Sequence, residues 1–253
     1  MTNSCLPRTI CFRPGRLSSW LSGLLAWGLL GPLSAAQLAL IIDDVGARHD
    51  DPQVFALPQE VTLSFLPHTP WGRQLALRAW REGRETLLHL PMATTIDKSP
   101  GPWAIGPDQD QWQVQYRVKK AFADIPFTVG VNNHMGSAIT GDIEVMGWVM
   151  AELHRQQQFF IDSRTVANSQ AYAAARAAGL PSLKRDVFLD PMPGQATLKI
   201  QWRRALNFAQ TNGSVVVIGH PYPDTLEFLQ QQLPLLSQQG ITLVRASALL
   251  SSP

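Results

Sequence analysis

The run "LALIIDDVG", residues 38–46, decides the fold reading. Leu38, Ala39, Leu40, Ile41 and Ile42 form an unbroken aliphatic stretch, and it ends on two adjacent carboxylates, Asp43 and Asp44. An aliphatic run without polar alternation suits a strand covered on both faces, as in a parallel sheet. Two like charges at the end of a buried strand are costly unless a cation stands nearby. Neighbouring side chains of a strand point to opposite sides, so the two carboxylates are expected to face different targets.

The same kind of run recurs at 61–66, 86–90, 127–131, 159–161, 214–218 and 241–244, and weakly at 183–188. Helical periodicity fills the intervals at 71–83, 108–125, 141–158, 168–179, 195–212 and 224–239. Alternating strands and helices predict an α/β fold with a parallel sheet. Seven or so such units in one core predict a compact, incomplete (β/α) barrel of about seven parallel strands.

The chain has 253 residues and a formal charge of +2, but the first 36 residues differ from the rest. They carry Arg8, Arg13 and Arg16 and no acid, then the apolar stretch "WLSGLLAWGLLGPL" and the small residues "SAA". A basic region, a short apolar region and a small-residue site describe a secretory signal peptide, with cleavage expected after Ala36. The stretch is about 14 residues, short of the roughly 20 that a membrane span needs. Residues 37–253 then hold 18 Lys+Arg against 19 Asp+Glu, a balance that gives nucleic acid no basic surface. Both cysteines, Cys5 and Cys11, fall in the signal, so the mature domain has neither disulfide nor thiol catalyst. The expectation is an exported, periplasmic-type domain over 37–253, a monomer without a stable membrane span.

Polar residues gather where strands end. Asp43 and Asp44 follow the first, "PHTP" with His68 the second, and "LLHLPM" with His89 the third. "VNNHMGS" brings Asn132, Asn133 and His134, "FIDSRT" brings Asp162 and Arg164, and "IGHPYPDT" brings His220. Strand C-termini of a parallel barrel share one face, and that face carries the active site. Histidines and aspartates repeated at one class of position make a metal-ligand set. Singly, each residue reads as a turn, a cap or a hydrogen-bonded histidine; the joint pattern points to chemistry.

These clusters resemble those of the divergent polysaccharide deacetylases, a branch of the NodB-like carbohydrate deacetylase superfamily. The resemblance runs from "LALIIDDVG" through "VTLSFLPHTP", "LLHLPM", "GVNNHMGS", "FFIDSRT" and "LKRDVFLD" to "IGHPYPDTL". It implies a distorted barrel, a divalent metal (usually Zn²⁺), and hydrolysis of acetyl groups on a glycan. It also implies Asp43 as base, Asp44 as metal ligand, and His220 as acid. His89 and His134 complete the expected ligand set, with Asp162 orienting His220 or another histidine and Arg164 keeping Asp162 charged. Asn132 and Asn133 are expected to orient a ligand or bind sugar hydroxyls at the substrate, and Arg164 and His68 are expected at the substrate as well. The chain departs from the family pattern at Ala93, where an acid is expected after "HLPM", and at Ala138, where a basic residue is expected after "HMGS". The competing expectations are a non-catalytic envelope protein that binds glycan or a cell-wall hydrolase, and a phosphoesterase. The last lacks a glycine-rich phosphate loop.

Overall fold

The computed structural model describes residues 1–2 and 35–251, so the expected signal segment lies almost wholly outside the described residues. From residue 35 onward they form one unit. The elements, in chain order, are β1 (Ala36–Val45), β2 (Thr62–Phe65), α1 (Gly72–Arg81), β3 (Thr86–Met92), α2 (Gln111–Asp124) and β4 (Gly130–Met135). Then follow α3 (Ile143–Arg155), β5 (Phe159–Asp162), α4 (Ala171–Ala177), β6 (Ser182–Lys184), β7 (Val187–Phe188), α5 (Gln195–Asn212), β8 (Ser214–Gly219), α6 (Pro223–Gln232) and β9 (Ile241–Val244). No helix among the described residues is long and apolar enough to cross a membrane.

The strands run β6-β5-β4-β3-β2-β1-β8-β7, every pairing is parallel, and β9 lies against the first half of β1. β6 and β7 stand at opposite ends of this path, yet only Arg185 and Asp186 separate them in sequence. Their backbones make the crossing: Arg185 N–H donates to Asp162 O at 2.9 Å and Asp186 N–H to Val216 O at 3.0 Å. The sheet therefore curls until its edges nearly meet. No ladder joins β6 to β7 among the described residues, and the architecture is the expected incomplete barrel, with eight strands on its path. The extra strand arises because the weak 183–188 run divides at this crossing.

The period of two along each strand sorts the side chains. Leu38, Leu40 and Ile42 of β1, Leu63 and Phe65 of β2, Leu88 and Leu90 of β3, and Val215 and Val217 of β8 face the helices. Ala39 and Ile41, Leu87, Phe159 and Ile161, and Val216 and Ile218 form a second, inner cluster with Ala246 and Leu249 of the C-terminal 3₁₀ segment Ala246–Ser251. That segment is pinned where it meets the sheet. Ala246 N–H donates to Thr62 Oγ1 at 3.1 Å, and Ser247 N–H donates to Glu85 Oε1 at 3.1 Å. A Cβ at Gly130 would lie 2.5 Å from the Phe159 ring, so glycine is required where that ring fills the interior.

Two expected elements shift. The strand read at 127–131 runs instead as Gly130–Met135, because Phe127 takes a positive φ of 64° and leaves the extended path to stack on Trp80 at 4.2 Å. Its polar residues therefore lie within the strand. The helix read at 224–239 ends at Gln232 and continues as 3₁₀ turns. Pro234 has no N–H to give an α-helix, and its ring clashes with the preceding turn.

Candidate metal centre

The inward set continues toward the strand C-termini as Asp43, Ser64, His89, Asn132, Ser163 and His220, so the interior changes from apolar to polar along the barrel. Asp44 should break the parity, and a β-bulge resolves the conflict. Ile42 pairs with Leu63 and Val45 with Phe65, so β1 spends three steps where β2 spends two. Asp44 takes φ 59°, a left-handed conformation that costs a non-glycine residue about 1–3 kcal/mol. The bulge turns Asp44 to the same side as Asp43, which corrects the expected opposite sides, while the two carboxylates still meet different partners. Gly46 closes the turn at φ 119°, where a Cβ would lie 2.4 Å from Gly72 Cα.

Asp44 Oδ1 lies 2.7 Å from His134 Nδ1 and 3.1 Å from His89 Nε2, and the two nitrogens are 3.2 Å apart. These three atoms are a donor set for one cation. Ligand atoms about 2.0–2.1 Å from a tetrahedral ion stand about 3.3 Å from each other, close to the triangle seen here. Asp44 Oδ1 is buried and has no aligned hydrogen-bond donor despite its two close imidazole neighbours, as a carboxylate oxygen meant for a metal would be. The residues fit a divalent cation.

Asn132 fixes the tautomer behind this triangle. Its Nδ2 donates to Asp43 Oδ1 at 2.7 Å, so its Oδ1 faces His89 Nδ1 at 2.8 Å and Ser64 Oγ at 2.6 Å. A carbonyl oxygen accepts, so His89 carries its proton on Nδ1 and presents Nε2 to the site. Asn133 uses its amide on Met135 O (2.8 Å) and on Ser163 N–H (2.9 Å). Both asparagines are at most 1% exposed. Asn132 thus orients His89, one of the two roles expected of the pair, and Asn133 lines the cavity at the site.

His220 approaches from β8. Its Nδ1 meets Asp190 Oδ1 at 2.9 Å, its backbone N–H and the Thr225 hydroxyl donate to Asp190 Oδ2, and its Nε2 lies 3.8 Å from Asp44 Oδ2. The ring sits between Phe188 and Tyr222, 5.4 Å from each. Asp190, not Asp162, orients it. Asp162 instead accepts from Arg164 N–H, Ser169 Oγ and Tyr172 N–H, fixing the turn after β5 and the start of α4. Arg164 thus meets Asp162 through its backbone, and no ion pair joins them. His68 does not line the cavity at the site. Its backbone N–H donates to Asp124 Oδ2 at 2.7 Å, and its ring lies 6.1 Å from Trp103.

The electrostatics separate the two carboxylates. Burial pushes Asp43 up from its ordinary value, against the charges of His89 and His220 and the Asn132 hydrogen bond. Burial also pushes Asp44 up, but His134 and His89 outweigh it and hold Asp44 well below the usual carboxylate range. Burial pushes His89 down, but the Asp43 charge and Asp44 reverse this and the net shift is upward. His220 resists burial through Asp190, with Asp44 and Asp43 adding to the effect, and is raised to about 9. All these groups except Asn132 line or bound one cavity of about 340 Å³.

Residues 40–250 match the family model described as divergent polysaccharide deacetylase. The chain belongs to that family. An uncharacterised Escherichia coli (strain K12) protein, YibQ, is 39% identical over 226 residues, covering 89% of this chain and 70% of that protein. An uncharacterised Haemophilus influenzae protein is 36% identical over 201 residues, covering 78% of this chain and 71% of the relative. The crystal structure of an uncharacterised protein from Agrobacterium tumefaciens C58 superposes with a TM-score of 0.81 at 22% identity, covering 87% of this chain and 91% of that one. That likeness shows the fold. Ala93 and Ala138 adjoin each other: Ala138 N–H donates to Ala93 O at 3.1 Å.

Proposed function

We propose that the protein is an exported, metal-dependent hydrolase that removes acetyl groups from a cell-envelope glycan. One observation carries the reading: three donor atoms converge on one point beside a buried carboxylate and a carboxylate-tethered histidine. Asp44, His89 and His134 would hold a divalent ion such as Zn²⁺, which supplies Lewis acidity to polarise an acetyl carbonyl and acidify water. Asp43, raised by burial, takes the proton from the attacking water as its oxygen bonds to the acetyl carbon. His220, protonated near neutral pH, gives its proton to the sugar nitrogen or oxygen as that atom's bond to the acetyl carbon breaks. Asp190 keeps the proton on Nδ1 and aims Nε2 into the cavity. The basic, apolar and small-residue pattern of residues 1–36 supports export.

Acetate release from acetylated chito-oligosaccharides or peptidoglycan fragments tests the reading. Release is expected, and a chelator should stop it. Glycan binding without acetate would instead favour a barrel that binds glycan or a cell-wall hydrolase, a reading that Ala93 and Ala138 favour.

Asp190→Asn tests the acid. The acid must be protonated, so activity should fall as pH rises through the His220 pKa, about 9. Removing the Asp190 charge removes the main upward pull, so this limb should move toward the ordinary histidine value. Turnover should fall by up to about 10⁴-fold, the scale for losing the carboxylate that orients a catalytic histidine. An unmoved alkaline limb in the pH–rate profile would show that His220 is not the acid.

A further inference from the structure

Beside the metal-centre cavity lies a second, of about 440 Å³, and Thr165, Arg185, Phe188 and Pro191 line both. Three arginines from three elements meet there: Arg164 after β5, Arg185 between β6 and β7, and Arg204 on α5. Among the described residues none of the three has a carboxylate within 4.0 Å. The cavity's acid, Asp186, uses Oδ2 to accept from Val216 N–H at 2.9 Å. Arg185 is held in place. Its Nε donates to Ser163 O at 2.6 Å, its Nη2 donates to Arg164 O at 2.8 Å, and its guanidinium stacks 4.8 Å from the Phe188 ring centroid. Two of its five N–H donors are thereby used, and the others remain for a ligand. Burial depresses the Arg185 pKa, and the Arg164 charge adds to this. Three arginines around the one lining acid, Asp186, leave the cavity net positive, which favours an anion, and a fixed guanidinium fork matches a carboxylate or phosphate.

We propose that this cavity is a subsite for an anionic substituent, a carboxylate or a phosphate ester, on the sugar next to the one whose acetyl group is hydrolysed. The inference rests on the glycan hydrolase reading and narrows its substrate class. The shared wall puts both cavities within reach of one glycan.

Calorimetric titration of the full chain tests it with three probes: a neutral acetylated chito-oligosaccharide, the same oligosaccharide with a carboxylate on the neighbouring sugar, and the same with a phosphate ester there. At least one anionic probe should bind about 10-fold tighter than the neutral one, and the better of the two identifies the anion. Arg204→Gln, an exposed change on α5, should erase most of that preference. Arg203→Gln, on the same helix but outside the cavity, should keep it. Arg185 is a poorer target, because its loss would release the turn at Ser163 and Arg164. Equal affinities, no measurable binding of either anionic probe, or a preference untouched by Arg204→Gln would overturn the subsite. An anionic preference with no acetate released from any probe would keep the subsite and remove the hydrolase.

Discussion

Asp44→Asn is expected to empty the metal centre and abolish acetate release. Asparagine tolerates a left-handed backbone, so the bulge at φ 59° should survive where alanine would add strain. What disappears is the anionic oxygen between His89 Nε2 and His134 Nδ1. Loss of an outer partner of a metal ligand costs about 10–100-fold in affinity, and loss of a charged ligand should cost more. Two measurements separate this from unfolding. Metal retained after dialysis should fall from one equivalent to none. The unfolding temperature without metal should stay near that of the parent, while the increase on adding Zn²⁺ should vanish, because only a ligand that binds the native state raises it. A variant that still holds one equivalent of Zn²⁺ would remove Asp44 from the centre.

That bulge also marks how far sequence reasoning reaches. The aliphatic runs and their polar ends place Asp43, Asp44, His89, His134 and His220 at strand C-termini, because burial on both faces leaves a strong one-dimensional signal. The turn that sends Asp43 and Asp44 to one side is set by the mismatch in register with β2, a non-local pairing with no signature in the local run. Asp190 is hidden for a similar reason. It follows a two-residue strand whose place beside β8 depends on the barrel curling round. "FLD" in isolation looks like any loop acid, and only the chance that every strand end carries a functional polar group singles it out. Asn132 and Asn133 mislead in the opposite direction. Amides beside a site histidine suggest sugar binding, but inward parity places Asn132 beneath the reacting groups, where it holds Asp43, Ser64 and His89, while Asn133 holds Met135 O and Ser163 N–H. Leaving one such partner unsatisfied there would cost about 1–3 kcal/mol.

Asp43→Asn should leave the metal in place and still lose turnover by about 10²–10⁴-fold, the range for removal of a general base. The reasoning starts from Asp43's position. Its side chain is buried, its Oδ1 accepts from Asn132, and its Oδ2 lies 3.7 Å from His89 Nε2, outside the triangle of donor atoms. An asparagine can keep the Asn132 bond with its own carbonyl oxygen, so His89 should hold its tautomer and the three ligand atoms their places. Its amide cannot take a proton from water. The parent's activity should rise with pH through the Asp43 pKa, which burial sets above the ordinary carboxylate value, because a base works only when deprotonated. In the variant that acid limb should be absent from the residual rate. Metal content, kcat and the acid limb together distinguish a lost base from a lost ligand, since Asp44→Asn loses the ion and Asp43→Asn does not. Full activity with one equivalent of Zn²⁺ in Asp43→Asn would leave the paired carboxylates of "IDDVG" with a single chemical task, and the proton would have to leave the water by way of His220 or bulk solvent.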